Sequence, residues 1–420
     1  MKLIILFLML FNQKQDTLKL NDCYERVYEK YPNAYQKVIY ENTSGLRLKN
    51  LDVNYLPQIS FKGQATYQSE VTKLNLPIPN VKSPDMSKDR YQLTLDVKQL
   101  LWDGGTTGSL KSAEEKQLSS DKQKIEVELY GLRQKVNDLY FSVLLLQEKR
   151  NINMLYYDDV NSKISEINSK IENGIIPKNN LYILQAQLLQ IEQELESVDA
   201  DRNASLKMLA ELMEKDINKN IVLILPDPKE NNFEITPGER PEYRMFELQK
   251  IQFDAMQNTV DSRIMPKLSA FGQAGYGRPG LNMLDNTFQP FYTVGLSIAW
   301  SPINWNSNKN EIQIYEANKR LIDRQKETFD KNLKVTLEKF KADILKYESL
   351  LKKDEELMNI RQKIVDIASS QLANGTITST VYLTELANKN HVALSYKTHL
   401  VQLIQAKINF LTTKGSKIYE

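Results

Sequence analysis

Histidine and cysteine are frequent catalytic residues and metal ligands, and this chain has few of them. Its 420 residues include two histidines, His391 and His399, and one cysteine, Cys23. The spacing of eight puts the two imidazoles two turns apart on a predicted helix, with no cysteine near them, which disfavours a zinc site. Cys23 has no second cysteine with which to form a disulfide. It also lacks the small preceding residues of a lipid-modified cysteine, so we expect a plain residue on an amphipathic helix.

A glycine-rich segment, Gly272–Gly280, has the composition of a phosphate-binding loop. Such loops lead from a strand into a helix N-terminus, whereas this segment leads from one predicted strand towards another. No serine, histidine and aspartate form a pattern that suggests nucleophilic catalysis, and the carboxylates are scattered over predicted helix surfaces. The sequence therefore predicts a protein that is not an enzyme and that uses no metal or cofactor.

The balance of charges and the N-terminal segment further restrict the class of protein to which this chain can belong. Lysine and arginine number 55 and aspartate and glutamate 53, so no strong positive field favours nucleic acid as a partner. Met1 and Lys2 precede an apolar run from Leu3 to Phe11, which is too short to span a bilayer but typical of a secretory signal peptide. We predict a signal peptide in residues 1–15, although no small-residue motif marks its cleavage site.

One pattern of residues occurs twice along the chain. The segment Leu56–Tyr67 reappears at Met265–Tyr276 with half of its positions identical. A repeat of this length indicates a duplicated structural unit. Other pairs that match between the two halves are Pro32 with Pro241, Tyr91 with Tyr292, and Asn173-Gly174 with Asn374-Gly375.

Each repeat contains two segments in which apolar and polar residues alternate, as they do in strands with one apolar face. Tyr292–Trp300 shows the alternation with small residues on its second face. Tyrosine and tryptophan fall near the strand ends, where the aromatic girdles of outer-membrane barrels lie. A soluble sandwich with one wet face is the alternative for the strands alone. The predicted strands are 56–67, 91–101, 265–276 and 291–301.

Apolar residues at heptad spacing predict two long coiled-coil helical hairpins. No proline interrupts Thr106–Glu172, so a helix about 100 Å long is allowed at a rise of about 1.5 Å per residue. Each repeat is therefore a β-hairpin followed by a long helical hairpin, and the chain is mainly α. The predicted helices are 106–172, 176–212, 306–373 and 377–411.

Four strands are too few to close a barrel, and an open sheet edge is costly in hydrocarbon because its backbone groups lack partners. Beyond the N-terminal run, no stretch reaches the roughly 18 apolar residues of a membrane-spanning helix. If the strands lie in a membrane, several copies must share one barrel. Three copies give twelve strands, an even number typical of outer-membrane barrels.

Taken together, these features resemble the TolC-type outer membrane efflux proteins. The resemblance covers nearly the whole chain, from about Asp16 to Leu411, and depends on the order of the motifs more than on any one of them. The motifs are the strand entries Leu56-Pro57 and Met265-Pro266, the turn Trp102–Gly105, the segment Gly238–Glu242 with its first-repeat counterpart Lys30–Asn33, and an Asn-Gly turn in each helical hairpin.

The resemblance implies a homotrimer in the outer membrane of a Gram-negative bacterium, with a 12-stranded membrane β-barrel and an α-helical tube in the periplasm. It implies a passive exit duct of a tripartite efflux or type I secretion system. A periplasmic adaptor (a membrane fusion protein) would couple the duct to an inner-membrane RND or ABC transporter. The chain then divides into a first repeat at 16–212, an equatorial linker at 213–238, a second repeat at 239–411 and a tail at 412–420.

The resemblance also assigns roles at the far ends of the helical hairpins. Members of the family often place acidic residues six and nine positions after the second tip glycine, and acid rings there constrict the tube. Here those positions hold Val381 and Thr384, so an aspartate ring is not expected. The expected tips, where an adaptor would dock, comprise Asn173, Gly174, Ile176, Asn374, Gly375 and Ile377. Possible gate residues are Val381, Tyr382, Thr384 and Glu385, and we hypothesise that Ile377, Val381 and Tyr382 pack together in a closed state.

A protein of another class remains an alternative: an exported, trimeric coiled-coil scaffold or adaptor that forms no pore. The long helices allow it. Strands with one apolar face and two tandem helical hairpins favour the channel, since an adaptor is expected to place lipoyl-like β segments on both sides of a single hairpin. No residue indicates the exported cargo.

Overall fold

A computed structural model of the chain describes residues 16–72, 86–173, 176–228, 233–235 and 238–416. The predicted signal peptide, residues 1–15, lies outside the described residues, as do Gly174 of the first tip and the last four residues of the predicted tail. The structure is mainly helical, with 69% helix. None of the helices in the described ranges combines the length and the apolarity that crossing a membrane requires.

Seven α-helices, one short 3-10 helix (Val53–Tyr55) and six strands make up the described chain. The helices are α1 (Leu20–Lys30), α2 (Pro32–Asp52), α3 (Thr106–Glu172), α4 (Asn179–Leu212), α5 (Pro241–Arg263), α6 (Ser307–Ala373) and α7 (Ser379–Lys414). The strands are β1 (Thr17–Leu18), β2 (Gln58–Tyr67), β3 (Asp89–Trp102), β4 (Val222–Leu223), β5 (Lys267–Arg278) and β6 (Gln289–Ala299). The long helices and the four long strands lie within a few residues of their predicted ranges.

The sequence predicts no ranges for three shorter helices, α1, α2 and α5, although it places Cys23 on a helix. α2 and α5 both begin at a proline, Pro32 and Pro241, because proline fits the first helical position, where its missing N–H is not needed. α1 has Asp22 in its first turn and Lys30 in its last, which complements the helix dipole. The matched prolines of the two repeats were the signal for α2 and α5.

The described chain divides into two compact units. Unit 1 contains residues up to 36, residues 124–244 and residues from 326 onwards; unit 2 contains residues 37–123 and 245–325. Each unit therefore combines segments of both sequence repeats, and α3 and α6 contribute residues to both units. The repeats are interleaved in space.

Unit 2 contains a four-stranded sheet in the order β2-β3-β5-β6, and every neighbouring pair is antiparallel. The two β-hairpins, one from each repeat, are joined by the pairing of β3 with β5, in which Leu93 lies opposite Tyr276. Within the described chain, β2 and β6 each pair on one side only. The sheet therefore ends in two open edges.

The two faces of this sheet differ sharply in polarity. One face carries exposed apolar side chains on both edge strands, including Phe61 at 78% and Ile298 at 74% exposure. On the other face, Asp96 accepts a hydrogen bond of 2.6 Å from Gln273 and forms an ion pair of 3.0 Å with Lys62. The alternation that predicted these strands thus separates an apolar face from a polar one.

The turn between β3 and α3 is held by a buried carboxylate. Asp103 Oδ2 accepts a hydrogen bond of 2.7 Å from the backbone N–H of Thr107, which caps the helix N-terminus. Asp103 Oδ1 accepts from Tyr55 Oη at 2.8 Å. Burial acts to raise the pKa of Asp103, but the hydrogen bonds from Thr107 and Tyr55 outweigh it and hold that pKa below its usual range. The predicted Trp-Asp-Gly-Gly turn thereby fixes where the long helix begins.

The core of unit 1 is built by α1 and the four long helices. Asn137 of α3 is fully buried and makes hydrogen bonds to Tyr24 of α1 and to Asn409 and Thr412 of α7. We name these four residues the base network. Cys23 is buried on α1, in the helical position that the sequence predicts.

Candidate functional site

The second helical tip is closed by a glycine in the left-handed region. After α6 ends at Ala373, Gly375 adopts a φ of 70°. Its N–H donates to Leu372 O at 3.0 Å, and the N–H of Thr376 donates to Gln371 O at 3.0 Å. This pair of bonds is the Schellman motif, which satisfies the last carbonyls of a helix. Asn374 and Gly375 therefore form the turn that the sequence predicts.

The first tip lies beside the second. Asn173 follows α3 and donates its side-chain amide to Ser169 O at 2.7 Å. Asn180, in the first turn of α4, accepts a hydrogen bond of 2.8 Å from the backbone N–H of Ser379 at the start of α7. Lys170 of α3 donates to Ala373 O of α6 at 2.6 Å. The structure therefore brings the two predicted tips together, one from each repeat.

An apolar cluster underlies both tips and draws on all four long helices. Ile176, one of the predicted docking residues, is a member and is 5% exposed, and Ile377 packs against it. We name it the tip cluster. Its buried members are Tyr156, Val160, Ile167, Ile176, Leu184, Ile191, Val365, Ala368, Leu372, Tyr382, Leu383 and Leu386.

The four predicted gate residues have different surroundings. Tyr382 is buried in the tip cluster, whereas Val381 is 48% exposed and is not a member of it. Thr384 donates to Thr380 O one turn earlier in α7, at 2.9 Å. Glu385 accepts a hydrogen bond of 2.9 Å from Arg361 of α6. Within one chain, Tyr382 belongs to the tip cluster and Ile377 packs against it, whereas Val381 does neither.

Sequence reasoning missed a lysine buried beside the tip cluster. Lys163 of α3 is 7% exposed. Its Nζ donates to Ser369 Oγ of α6 at 2.7 Å and to Glu166 Oε2 at 2.5 Å, and it lies 5.3 Å from the ring centroid of Tyr382. The signal was the heptad spacing of Tyr156, Val160, Lys163 and Ile167, which puts a lysine at a seam position.

The tip contains titratable groups with shifted pKa values. Burial raises the pKa of Tyr382 to about 12, with the nearby carboxylates of Asp159 and Glu166 acting in the same direction. The hydrogen bond from Lys163 lowers the pKa of Glu166. Burial also raises the pKa of Tyr156, whose hydroxyl has no hydrogen-bond partner among the described residues. The two phenols are therefore neutral at neutral pH, and the ring of Tyr382 lies beside the amine of Lys163.

The two histidines and the glycine-rich segment Gly272–Gly280 do not form a catalytic site. His399 Nδ1 lies 2.6 Å from Asp354 Oδ2, a contact between α7 and α6, while His391 lies two turns earlier on α7 and is exposed. In the described parts of the chain, no group of three histidine, cysteine or carboxylate side chains is placed to hold a metal ion. The glycine-rich segment belongs largely to β5, which extends to Arg278. It leads from a strand into a loop, as predicted, and not into a helix.

Comparison with known proteins gives no match by sequence and clear matches by structure. No family model and no curated protein matches the chain. The outer membrane protein VceC of Vibrio cholerae matches with a TM-score of 0.66 at 12% identity, over 95% of this chain and 97% of its own. The CmeC outer membrane channel of Campylobacter jejuni matches with a TM-score of 0.64 at 15% identity, over 94% and 85% of the two chains.

A third structure, the open state of the MtrE outer membrane channel of Neisseria gonorrhoeae, matches with a TM-score of 0.62 at 12% identity, over 94% of this chain and 89% of its own. Similarity that extends over nearly the whole of each chain includes the sheet of unit 2 and the helical hairpins of unit 1. At such low identity it establishes the fold and not the partners or the cargo. The predicted resemblance is confirmed at this level: the chain has the fold of the TolC-type outer membrane channels.

Proposed function

We propose that this protein is an outer membrane channel, the passive exit duct of a tripartite efflux or type I secretion system. The observation that carries the proposal is the sheet of unit 2, which has one exposed apolar face and two open edges. It occurs within a fold shared with outer membrane channels. An apolar face suits contact with lipid, and the polar face around Asp96 suits a water-filled interior.

The open edges support a homotrimer. In hydrocarbon, each unpaired backbone group at an edge costs several kcal/mol, roughly, so a four-stranded sheet is stable there only if other copies pair with β2 and β6. Three copies close a 12-stranded barrel in contact with outer membrane lipid. The long helices of three chains would then form the periplasmic tube, since a 67-residue helix such as α3 is about 100 Å long.

The tips are the proposed docking site for a periplasmic adaptor, through which an inner-membrane RND or ABC transporter would deliver cargo. Asn173, Gly174 and Ile176 belong to the first tip, and Asn374, Gly375 and Ile377 to the second. Asn180, just after the first tip, accepts a hydrogen bond from Ser379, just after the second, so an adaptor would contact both tips. Backbone groups and small side chains at such turns suit recognition by shape, and the buried Ile176 and the partly buried Ile377 would support the turns from beneath.

The gate is proposed to lie next to the tips, at Val381, Tyr382, Thr384 and Glu385. In the closed state, Tyr382 would keep α7 packed on the tip cluster, and the exposed Val381 would face a neighbouring copy or the tube. Conductance in planar bilayers tests this. Replacement of Val381 and Tyr382 by alanine is expected to raise the closed-state conductance, and an unchanged conductance would count against the gate.

Particle mass and location test the channel itself. The chain is expressed with its export signal, extracted from outer membranes in detergent, and measured by light scattering with the detergent mass subtracted. A trimer confined to the outer-membrane fraction is the expected result. A soluble monomer or dimer that needs no detergent would contradict the barrel and would favour the pore-free coiled-coil scaffold.

A further inference from the structure

A polar recess in unit 1 lies away from the tips and is not explained by conduction or docking. It has a volume of about 420 Å³ and is bordered by α3, α4 and the segment that leads into β4. Its lining is dominated by cationic and amide side chains. Those that matter here are Arg150 and Asn151 of α3, Arg202 and Asn203 of α4, and Lys219 and Asn220 before β4.

Two arginines of the recess are held in place by neighbouring groups. Arg202 donates to the backbone carbonyls of Lys219, at 2.7 Å, and of Ile221, so it ties the segment before β4 to α4. Arg150 donates through Nε to Asp199 of α4 at 2.7 Å. These contacts fix the guanidinium planes before any ligand binds, which lowers the entropy that binding must overcome.

The charges of the recess are unbalanced. Arg150, Arg202 and Lys219 are three cations, and Asp199 is the single carboxylate among the lining residues. Burial lowers the pKa of Arg202; Asp199 opposes this effect, and the neighbouring guanidinium of Arg150 adds to it. Both guanidinium groups line the same recess. An anion there would offset the excess positive charge and accept hydrogen bonds from the N–H groups that Arg150 and Arg202 do not already use.

We propose that this recess binds an oxyanion of the phosphate or carboxylate class. Guanidinium groups donate paired N–H bonds in a geometry that matches both phosphate and carboxylate oxygens. The asparagine amides add neutral donors, and Lys219 adds a charge at the rim. The recess is larger than one phosphate ion requires, so the bound group is either a free polyanion or the charged end of a larger molecule.

Titration calorimetry on the purified, full-length protein in detergent tests the site. Inorganic phosphate and citrate are the probes, each at constant ionic strength set with chloride, and comparison of the two identifies the preferred class. Saturable binding is expected for at least one probe. Arg150→Gln is expected to weaken it about tenfold or more, because a charge-assisted hydrogen bond contributes at least as much as that ratio requires.

Lys149→Gln is the matched control. Lys149 precedes Arg150 on the same helix, pairs with Glu194 of α4 at 2.6 Å, and is not part of the recess lining. The substitution removes the same charge, so binding weakened equally by both variants would reveal a general field effect and overturn the site. Lys219→Gln, at an exposed position, gives a second variant that leaves the Arg150–Asp199 contact intact.

Absence of saturable binding for both probes at millimolar concentration would also overturn the proposal. Each variant is checked for its oligomeric mass by light scattering before the titration. A protein that forms trimers but binds neither probe contradicts the oxyanion site alone. The channel proposal fails on a different observation, namely the loss of the trimer or of its membrane location.

Discussion

The base network and the tip region share the long helices of unit 1. They differ in whether their buried polar groups have hydrogen-bond partners. At the base, Asn137 is fully buried and its side chain has three hydrogen-bonding partners. At the tip and along the helices leading to it, Tyr156 Oη, Ser379 Oγ and Asn153 Nδ2 are buried without a hydrogen-bond partner among the described residues. The base network is fully hydrogen-bonded, and these groups of the tip region are not.

This difference indicates where the helical hairpins rearrange most easily. A buried polar group without a partner costs about 1–3 kcal/mol, whereas breaking a complete network incurs that cost several times over. A second arrangement of the tip that gives Tyr156 or Ser379 a partner recovers part of the loss. The base offers no such gain. A tube that opens at its tips while its base stays fixed is consistent with this distribution.

The largest expected effect comes from breaking the base network. Asn137→Ala removes the donor to Asn409 and leaves a cavity in the core, so the free energy of unfolding is expected to fall by about 3 kcal/mol. Asn161→Ala is the control, because Asn161 is an exposed asparagine on the same helix and its loss should change stability by less than about 0.5 kcal/mol. Denaturant unfolding in detergent measures both. If both variants lost the same free energy of unfolding, the buried network at the base would contribute no more stability than an exposed asparagine.

Two tyrosines of α3 sharpen the same comparison. Tyr140 Oη lies 2.8 Å from Leu18 O and 2.7 Å from Ile224 O, whereas Tyr156 Oη has no partner among the described residues. Tyr140→Phe is expected to cost about 1–2 kcal/mol because the single O–H donor that these two carbonyls share is lost. Tyr156→Phe should be neutral or slightly stabilising. The same unfolding measurement decides, and a loss at Tyr156 as large as that at Tyr140 would show that the tip hydroxyl is satisfied in the assembled protein.

A smaller effect is expected at the turn of the second tip. Gly375→Ala forces a side chain into a φ of 70°, which costs about 1 kcal/mol. Gly375→Asn should cost less, because asparagine tolerates the left-handed region. Amide hydrogen exchange at the ends of α6 and α7 measures the local opening. If both variants exchange like the wild type, the turn does not limit the opening of the tip.

Periodicity explains how much of this fold was predictable. The heptad pattern predicted a long helix, and Pro302 and the Asn374-Gly375 turn placed it at 306–373. The structure has Ser307–Ala373, because proline and glycine mark the ends of helices. The partners across the hairpins were not predictable. Lys163 and Ser369 are 206 positions apart, and Asn137 and Asn409 are 272 apart. A single sequence shows that each residue interrupts an apolar seam, but not which polar group on another helix it meets.

The smallest expected effect is a dependence on acid that only the tip should show. The hydrogen bond from Lys163 lowers the pKa of Glu166 below its ordinary value of 4.5, so the folded tip is stabilised above that pH. The stabilisation is lost as the pH falls through the lowered pKa. The base network consists of tyrosine, asparagine and threonine, none of which titrates in that range. Amide exchange, corrected for its intrinsic pH dependence, should therefore increase at the end of α3 and not around Asn137.

Glu166→Gln separates this contact from the other carboxylates of the tip. The variant removes the titrating group and keeps the exposed Asp159–Lys389 pair, which is 3.4 Å long. Its tip amides should exchange faster than wild type at neutral pH and show little further increase in acid. An acid-dependent increase of wild-type size in the variant would assign the effect to another carboxylate. The acid dependence of amide exchange could then not be attributed to the Lys163–Glu166 hydrogen bond. The contrast between the tip and the base would depend on their uncharged groups alone.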